Sequence, residues 1–304
     1  MKNASRSLWS VSALAALCCL AAASPRRGHA DSAAGKPAAV PAPISMNLWA
    51  GDPPGMVPGS GPGADDGTGR YRNVGIPGML VYLPAGTTNA AHRIAIIACP
   101  GGGYTHLTRL EGADGAVHAF TPRDVVVVSL KYRLKPPSAA VESDTLADVK
   151  RTVRLVRAHA AEWGIDPAKV GVLGWSEGAN LGLNLASHFD AGDPVELDPV
   201  ERQSSRPDFV VLLSPWPDGN PLSLYPIAKD APPAFIGTAS DDKTAPPAFA
   251  AGIADAYRAV GAQVEFMRVD SGGHGAFTID APGPGGKWID RFWPWLATIG
   301  IQKR

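Results

Sequence analysis

The sequence predicts an α/β fold with a doubly wound, mostly parallel sheet and helices on both of its faces. Short apolar runs with strand character alternate along the chain with segments whose apolar residues recur at helical spacing, which is typical of parallel strands joined by crossover helices. In addition, an apolar run at 170–173 leads through the pentapeptide GWSEG (174–178) into a helical segment at 179–186. Strand, sharp turn and helix is the setting in which a G-x-S-x-G sequence presents a serine nucleophile.

The N-terminus has the features of a secretory signal. Lys2 and Arg6 precede an apolar run at 8–23, and small residues at 28–30 provide a cleavage site before Asp31. We therefore expect residues 1–30 to be a signal peptide, 31–43 a disordered lead-in rich in Ala and Pro, and 44–304 a single domain. The expected location is secreted or periplasmic in a bacterium, with an uncleaved N-terminal anchor as the alternative.

Charge and cysteine content exclude several classes of partner. The 304 residues hold 28 basic and 28 acidic side chains, and removal of 1–30 takes away four basic ones (28 − 4 = 24) and no acidic one. A slightly acidic mature chain is not expected to bind nucleic acid, and without a second long apolar segment it is not expected to bind a membrane after processing. Only Cys99 remains after cleavage, so no intramolecular disulfide is expected. Nothing in the sequence indicates an oligomeric state.

The elements can be placed in chain order. Residues 44–77 hold many Gly, Pro and Asp without periodicity and are predicted to be irregular surface coil. In the helix predicted at 144–163, Asp144 is the expected cap and Gly164 the stop. Strands are predicted at 79–84, 94–99, 125–132, 170–173, 208–214, 234–239 and 264–269. The helices are predicted at 112–120, 144–163, 179–186, 248–260 and 287–299, the last interrupted or bent at Pro294.

Sequence order supplies the partners that a serine nucleophile needs. A hydroxyl requires a base within hydrogen-bond reach and a third group that orients the base, and in α/β-hydrolases the order is Ser, acid, His. Ser176 lies between two glycines, which the tight turn requires because it leaves no room for a Cβ two residues to either side. Asp241 and Asp242 directly follow the strand 234–239, and His274 follows the last strand. We predict Ser176 as nucleophile, His274 as general base and one aspartate as the acid, while the other caps the turn or helix that follows.

An oxyanion hole is predicted from backbone N–H groups. One donor is Glu177, the residue after the nucleophile, and the others are Gly102 and Gly103 in the glycine loop that follows the strand 94–99. The spacing of this loop does not match a phosphate-binding loop, and no motif for a metal or a cofactor occurs, so we expect neither. The candidate substrate-binding residues, for which surface or core roles remain open, are Tyr104, His106, Trp175 and Trp216.

Several runs resemble secreted bacterial α/β-hydrolases related to acetylxylan esterases and feruloyl esterases. They are CPGGGY (99–104), KYRL (131–134), the stretch 148–180, DDKTAP (241–246) and GGHGAF (272–277), within a resemblance that spans about 79–299. The resemblance implies an α/β-hydrolase fold and cleavage of esters. The family acid lies in a D-x-x-V-P pattern, which Asp242 matches in register and Asp241 does not. The family elbow is usually G-F-S-A-G-G-H, from which this chain departs at Trp175, Glu177, Ala179 and Asn180.

The expected function is that of a secreted serine esterase. It would remove short acyl groups, above all acetyl, from plant polysaccharide or oligosaccharide through a Ser–His–Asp triad and an acyl-enzyme. Its partner would be a small ester or an acylated saccharide. The alternatives are a general carboxylesterase or a serine peptidase without sugar preference, and a catalytically silent α/β-hydrolase fold that binds a ligand. The carboxylate of Glu177 either points into solvent or alters substrate preference.

Overall fold

The computed structural model describes residues 42–86, 92–108, 110 and 115–302. The predicted signal peptide and residues 31–41 of the predicted lead-in lie outside the described residues, as does the start of the helix predicted at 112–120. No helix of the described part is long and apolar enough to cross a membrane.

The strands fall into two sheets. They are β1 Ile44–Asn47, β2 Pro62–Asp65, β3 Arg70–Val74, β4 Gly78–Tyr82, β5 Arg93–Cys99, β6 Leu107–Thr108, β7 Val126–Lys131, β8 Ile165–Trp175, β9 Phe209–Leu213, β10 Ala234–Ala239 and β11 Val264–Val269. The large sheet of eight strands has the order β1-β4-β7-β5-β8-β9-β10-β11, and the small one has the order β2-β3-β6.

In the large sheet β4 is antiparallel to both β1 and β7, and the strands from β7 to β11 are parallel. The register pairs Cys99 with Gly174, and Trp175 with Leu213. The carboxyl ends of β5, β8 and β9 therefore lie side by side, and the loops that follow them meet at one edge, where ligands bind in sheets of this kind.

Helices cover both faces of the large sheet, as predicted. The helices are α1 Ala116–Phe120, α2 Val141–Ala158, α3 Ala160–Trp163, α4 Glu177–His188, α5 Pro247–Ala259 and α6 Trp288–Thr298. Alternate strand residues point to opposite faces of the sheet. Ile97 and Val172 therefore enter one apolar cluster with α2, α4 and α5, whereas Ile96 and Leu173 enter a second cluster with α1 and α6.

Residues 44–77 are not coil throughout, so that prediction was wrong. β1 pairs with β4 at the edge of the large sheet, and β2 and β3 form an antiparallel pair that continues into β6. The strands β1, β2 and β3 are four or five residues long and rich in polar or turn-forming residues. They form because they pair with strands elsewhere in the chain, and local sequence periodicity does not predict such pairing.

The helices differ from the prediction in three details. The segment predicted as one helix at 144–163 is divided at His159 into α2 and α3. The helix α2 begins at Val141, and the expected cap Asp144 lies inside its first turn. There its carboxylate accepts a hydrogen bond from Ser138 and lies 3.2 Å from the Arg133 guanidinium. Gly164, at φ 68°, ends α3, which confirms the predicted stop. The helix α6 runs through Pro294 without an interruption, which was one of the two predicted alternatives, the other being a bend.

Candidate active site

Ser176 occupies a strained turn between β8 and α4. Its backbone has φ 55° and ψ −118°, a conformation that residues with a Cβ rarely adopt. A Cβ on Gly174 would lie 2.1 Å from the carbonyl oxygen of Gly178, and a Cβ on Gly178 would lie 2.0 Å from that of Cys99. The predicted steric reason for both glycines is confirmed.

Three side chains from three loops meet at this turn. The Nε2 atom of His274 lies 2.8 Å from the hydroxyl oxygen of Ser176, and its Nδ1 atom lies 2.9 Å from Oδ2 of Asp242. The other oxygen of Asp242 accepts the backbone N–H groups of Thr244 and Ala245 at 2.8 and 2.9 Å. Because Asp242 is buried and these two hydrogen bonds fix its carboxylate, it also fixes the orientation of the His274 imidazole. The arrangement of nucleophile, base and orienting acid is the one that covalent catalysis requires.

Asp241 has a different position from its neighbour. It is exposed, and its two carboxylate oxygens accept the backbone N–H groups of Gly273 at 2.8 Å and Gly272 at 3.2 Å. These bonds, with that from Gly273 the stronger, lower the pKa of the Asp241 carboxyl. The prediction that this aspartate caps the following turn or helix was wrong. It anchors the loop that carries His274.

The glycine loop after β5 presents free backbone donors. Gly102 has φ +145° and Gly103 φ +61°, and a Cβ on Gly102 would lie 1.8 Å from the carbonyl oxygen of His106. The N–H groups of Gly102, Gly103 and Glu177 donate to no other described residue. Unpaired N–H groups beside a nucleophile are available to an oxyanion, which is the role predicted for all three.

A cavity of ≈ 660 Å³ opens above Ser176. Ser176, His274 and the glycines 101–103 line one part of it, and residues 68–70 line another. Trp175 and Trp216, both predicted to contact substrate, also line it. The Trp175 indole N–H donates to the Phe277 carbonyl oxygen at 3.0 Å, which holds that ring in place.

Two other predicted contacts do not line the cavity. Tyr104 is buried, with its ring packed edge-on to Tyr132 at a centroid distance of 6.5 Å. This position favours the core role that was left open for Tyr104 over a substrate contact. His106 is half-buried next to Thr105 and likewise is not among the lining residues. Burial, followed by the charges of Arg70 and Arg72, lowers the pKa of His106.

The sequence-based prediction missed two contributors to this region. Residues 68–70 reach the cavity because of the unpredicted pair of β2 and β3, and Arg70 brings a cation to its rim. The Glu177 side chain does not point into solvent, which was one of the two alternatives, because it is fully buried and contacts the glycine loop. Within the described ranges no three His, Cys, Asp or Glu side chains cluster in a way that could hold a metal ion.

Comparison with known proteins identifies related chains. The family described as BD-FAE matches residues 79–209. The chain is 28% identical over 196 residues to endo-1,4-beta-xylanase B of Butyrivibrio fibrisolvens, covering 56% of this chain and 30% of that protein. It is 28% identical over 137 residues to the acetylxylan esterase of Xylanibacter ruminicola, covering 45% and 25%. The chain thus spans less than a third of the length of either relative.

Solved structures share the fold. The acetyl ester-xyloside bifunctional hydrolase from Caldicellulosiruptor lactoaceticus has a TM-score of 0.71 at 28% identity, covering 86% of this chain and 98% of that one. A thermophilic esterase from Thermogutta terrifontis, Est2, has a TM-score of 0.63 at 24% identity, covering 75% and 89%. The α/β-hydrolase fold and the resemblance to the acetylxylan and feruloyl esterase group are thereby confirmed.

Proposed function

We propose that this protein is a serine esterase. The observation that carries the proposal is the imidazole of His274, which has Ser176 within 2.8 Å on one side and Asp242 within 2.9 Å on the other. The reaction consumes one ester and one water and yields a carboxylic acid and an alcohol, and as written it requires no cofactor.

In the first half-reaction, Oγ of Ser176 attacks the ester carbonyl carbon while Nε2 of His274 takes the hydroxyl proton. The carbonyl oxygen becomes an oxyanion that accepts hydrogen bonds from the backbone N–H groups of Gly102, Gly103 and Glu177. When the tetrahedral species collapses, the bond to the alkoxy oxygen breaks and His274 returns the proton to the leaving alcohol. Asp242 keeps Nδ1 protonated and stabilises the imidazolium.

In the second half-reaction, water attacks the acyl-enzyme. His274 accepts a proton from the water, and the same N–H groups stabilise the second oxyanion. When this species collapses, the bond between the acyl carbon and Oγ of Ser176 breaks and His274 returns the proton to Oγ, which releases the acid and restores the hydroxyl.

The proposed substrate is a short acyl ester, above all an acetyl ester, on plant polysaccharide or its oligomers. Similarity to an acetylxylan esterase and to an acetyl ester-xyloside hydrolase supports this choice. The indole rings of Trp175 and Trp216 beside the cavity offer flat apolar surfaces of the kind that pack against sugar rings. Export from the cell, proposed from residues 1–30, would bring the enzyme to such polymers.

The test compares four substrates and two serines of the cavity. Acetylated xylan, methyl ferulate, p-nitrophenyl acetate and p-nitrophenyl butyrate are offered to the wild type, to Ser176→Ala and to Ser214→Ala. Ser214 lines the same cavity, and its hydroxyl has no hydrogen-bond partner in the described part of the chain. Removal of the nucleophile is expected to lower kcat by about 10⁴- to 10⁶-fold, whereas Ser214→Ala stays far above that level.

Each pattern of activity has a defined meaning. Acetate release from xylan that disappears in Ser176→Ala supports both parts of the proposal. Hydrolysis of the nitrophenyl esters alone keeps the triad and points to a general carboxylesterase. Equal activity of Ser176→Ala and the wild type rejects the triad, and a wild type that a fluorophosphonate probe does not label is a binding protein.

A further inference from the structure

The side chain of Glu177 is buried beside the proposed nucleophile without lining the cavity. It is 0% exposed, and its Oε2 atom accepts a hydrogen bond from the backbone N–H of Tyr104. The Tyr132 hydroxyl lies beside the same carboxyl and donates to the carbonyl oxygen of Pro100. The carboxyl therefore connects the first turn of α4 to the glycine loop that follows β5.

Burial of the Glu177 carboxyl costs free energy, because the charged form loses its hydration. Burial raises the pKa of Glu177 from 4.5 to about 8, even though the hydrogen bond from the Tyr104 N–H lowers it. The charges that act on it oppose each other, since Asp218 raises this pKa and Lys135 lowers it. An apolar side chain would avoid the cost of desolvation, but it would leave the Tyr104 N–H without its acceptor.

The bond acts on a segment with an unusual backbone. Gly102, Gly103 and Tyr104 have φ values of 145°, 61° and 55°. Tyr104 is the one of the three that has a Cβ, and a left-handed conformation costs such a residue energy. Since its N–H is held by Glu177, the peptide plane between Gly103 and Tyr104 has a fixed orientation. No described residue accepts the N–H groups of Gly102 and Gly103, which lie on a stretch that lines the cavity.

We infer that Glu177 is a positioning residue, whose side chain holds the loop 102–104 in the orientation that lets its N–H groups stabilise the oxyanion. The inference rests on the proposed function, because the orientation matters only if an ester carbonyl is attacked at Ser176. Glu177 then contributes twice. Its own backbone N–H is one donor, and its carboxyl aligns the other two.

Two substitutions of similar size separate hydrogen bonding from packing. Glu177→Gln keeps an oxygen that can accept the Tyr104 N–H, whereas Glu177→Met fills nearly the same volume with no such acceptor. Loss of an oxyanion donor lowers kcat by about 10²- to 10³-fold. For p-nitrophenyl acetate we expect Glu177→Met to lose about 10²-fold in kcat, with KM within about threefold of the wild type. We expect Glu177→Gln to lose less than about tenfold.

A second readout reports on the oxyanion hole directly. An alkyl trifluoromethyl ketone accepts the Ser176 hydroxyl at its carbonyl carbon, its oxygen becomes an oxyanion in the hole, and His274 takes the proton. The inhibition constant for this ketone is expected to rise in Glu177→Met by about the factor that kcat/KM loses, and to change little in Glu177→Gln. A residue that merely supports the fold would not move both quantities in parallel.

Three results would overturn the inference. They are a Met variant with kcat within threefold of the wild type, a Met variant whose kcat falls while ketone binding is unchanged, and a Gln variant as impaired as the Met variant. If Glu177→Met does not fold, Glu177→Ala takes its place, and the Gln variant remains decisive because a hundredfold loss there contradicts the inference. Failure of the proposed function looks different, since Ser176→Ala would then be as active as the wild type.

Discussion

Two adjacent aspartates offer a direct test of the proposed catalytic geometry. Asp242 contacts the Nδ1 atom of His274 through one oxygen and two backbone N–H groups through the other. Asp241 instead accepts the backbone N–H groups of Gly272 and Gly273. Conversion of either one to asparagine changes a single oxygen to an amino group and almost nothing else. The two substitutions are therefore matched in size and in charge change.

The expected effect of Asp242→Asn follows from which oxygen is replaced. The side-chain oxygen has to remain where Thr244 and Ala245 donate their N–H groups, so the new amino group faces the imidazole. Nδ1 must then accept a hydrogen bond, the proton resides on Nε2, and the imidazole cannot take the proton of Ser176. A base held in the wrong tautomer costs about 10⁴-fold in kcat.

For Asp241→Asn the expected loss is small. One oxygen remains to accept the N–H of Gly273, and the site is exposed to solvent. Because a hydrogen bond at an exposed site contributes little, we expect kcat to fall by less than about tenfold. The assay is kcat for p-nitrophenyl acetate at neutral pH, with thermal unfolding to check that both variants fold. A 10³-fold loss in Asp241→Asn together with a loss below tenfold in Asp242→Asn would refute the reasoning.

Two further predictions concern stability. Gly178→Ala would place a Cβ 2.0 Å from the carbonyl oxygen of Cys99, so we expect loss of activity and a Tm lowered by several degrees. The control Gly51→Ala, with no atom within 4 Å of its Cβ, is expected to keep the wild-type Tm. Equal Tm values for the two variants would contradict the packing of the turn. For pH, a carboxyl whose pKa is raised from 4.5 to about 8 binds more protons in the folded state, so Glu177 makes the free energy of unfolding fall as pH rises from about 5 to about 8. Urea titrations should show this fall in the wild type relative to Glu177→Gln, and parallel pH curves for the two would contradict it.

The central fold could be predicted because burial leaves a local signature. The run at 125–132 holds four consecutive valines, and strands with both faces covered are continuously apolar. The grouping of Ser176, Asp242 and His274 at one edge followed from the positions of these residues just after parallel strands. Crossover connections bring all such carboxyl ends to the same side.

What the sequence did not reveal depends on contacts between distant segments. Whether Glu177 faces solvent or protein is decided by the loop after β5, more than seventy positions earlier, which comes to rest against the start of α4. The same holds for Asp241, whose partners are more than thirty positions away. A polar side chain at a turn has several local partners to choose from. No local pattern indicates which distant backbone group will compete successfully for it.

The proposed site consists of two parts, each of which is held in place by a different set of contacts. Gly178 packs on the backbone of Cys99 and Pro100, and Glu177 binds the Tyr104 N–H, so the nucleophile and the oxyanion donors lie on one connected unit. The base and the acid lie on two other loops, which Asp241 ties together through the N–H groups of the glycines before His274. Loss of the hydrogen bond between the Glu177 carboxyl and the Tyr104 N–H should therefore weaken stabilisation of the oxyanion and leave the contact between Ser176 and His274 in place. Loss of the hydrogen bonds that Asp241 accepts should instead impair proton transfer by His274, because it loosens the loop that orients the imidazole.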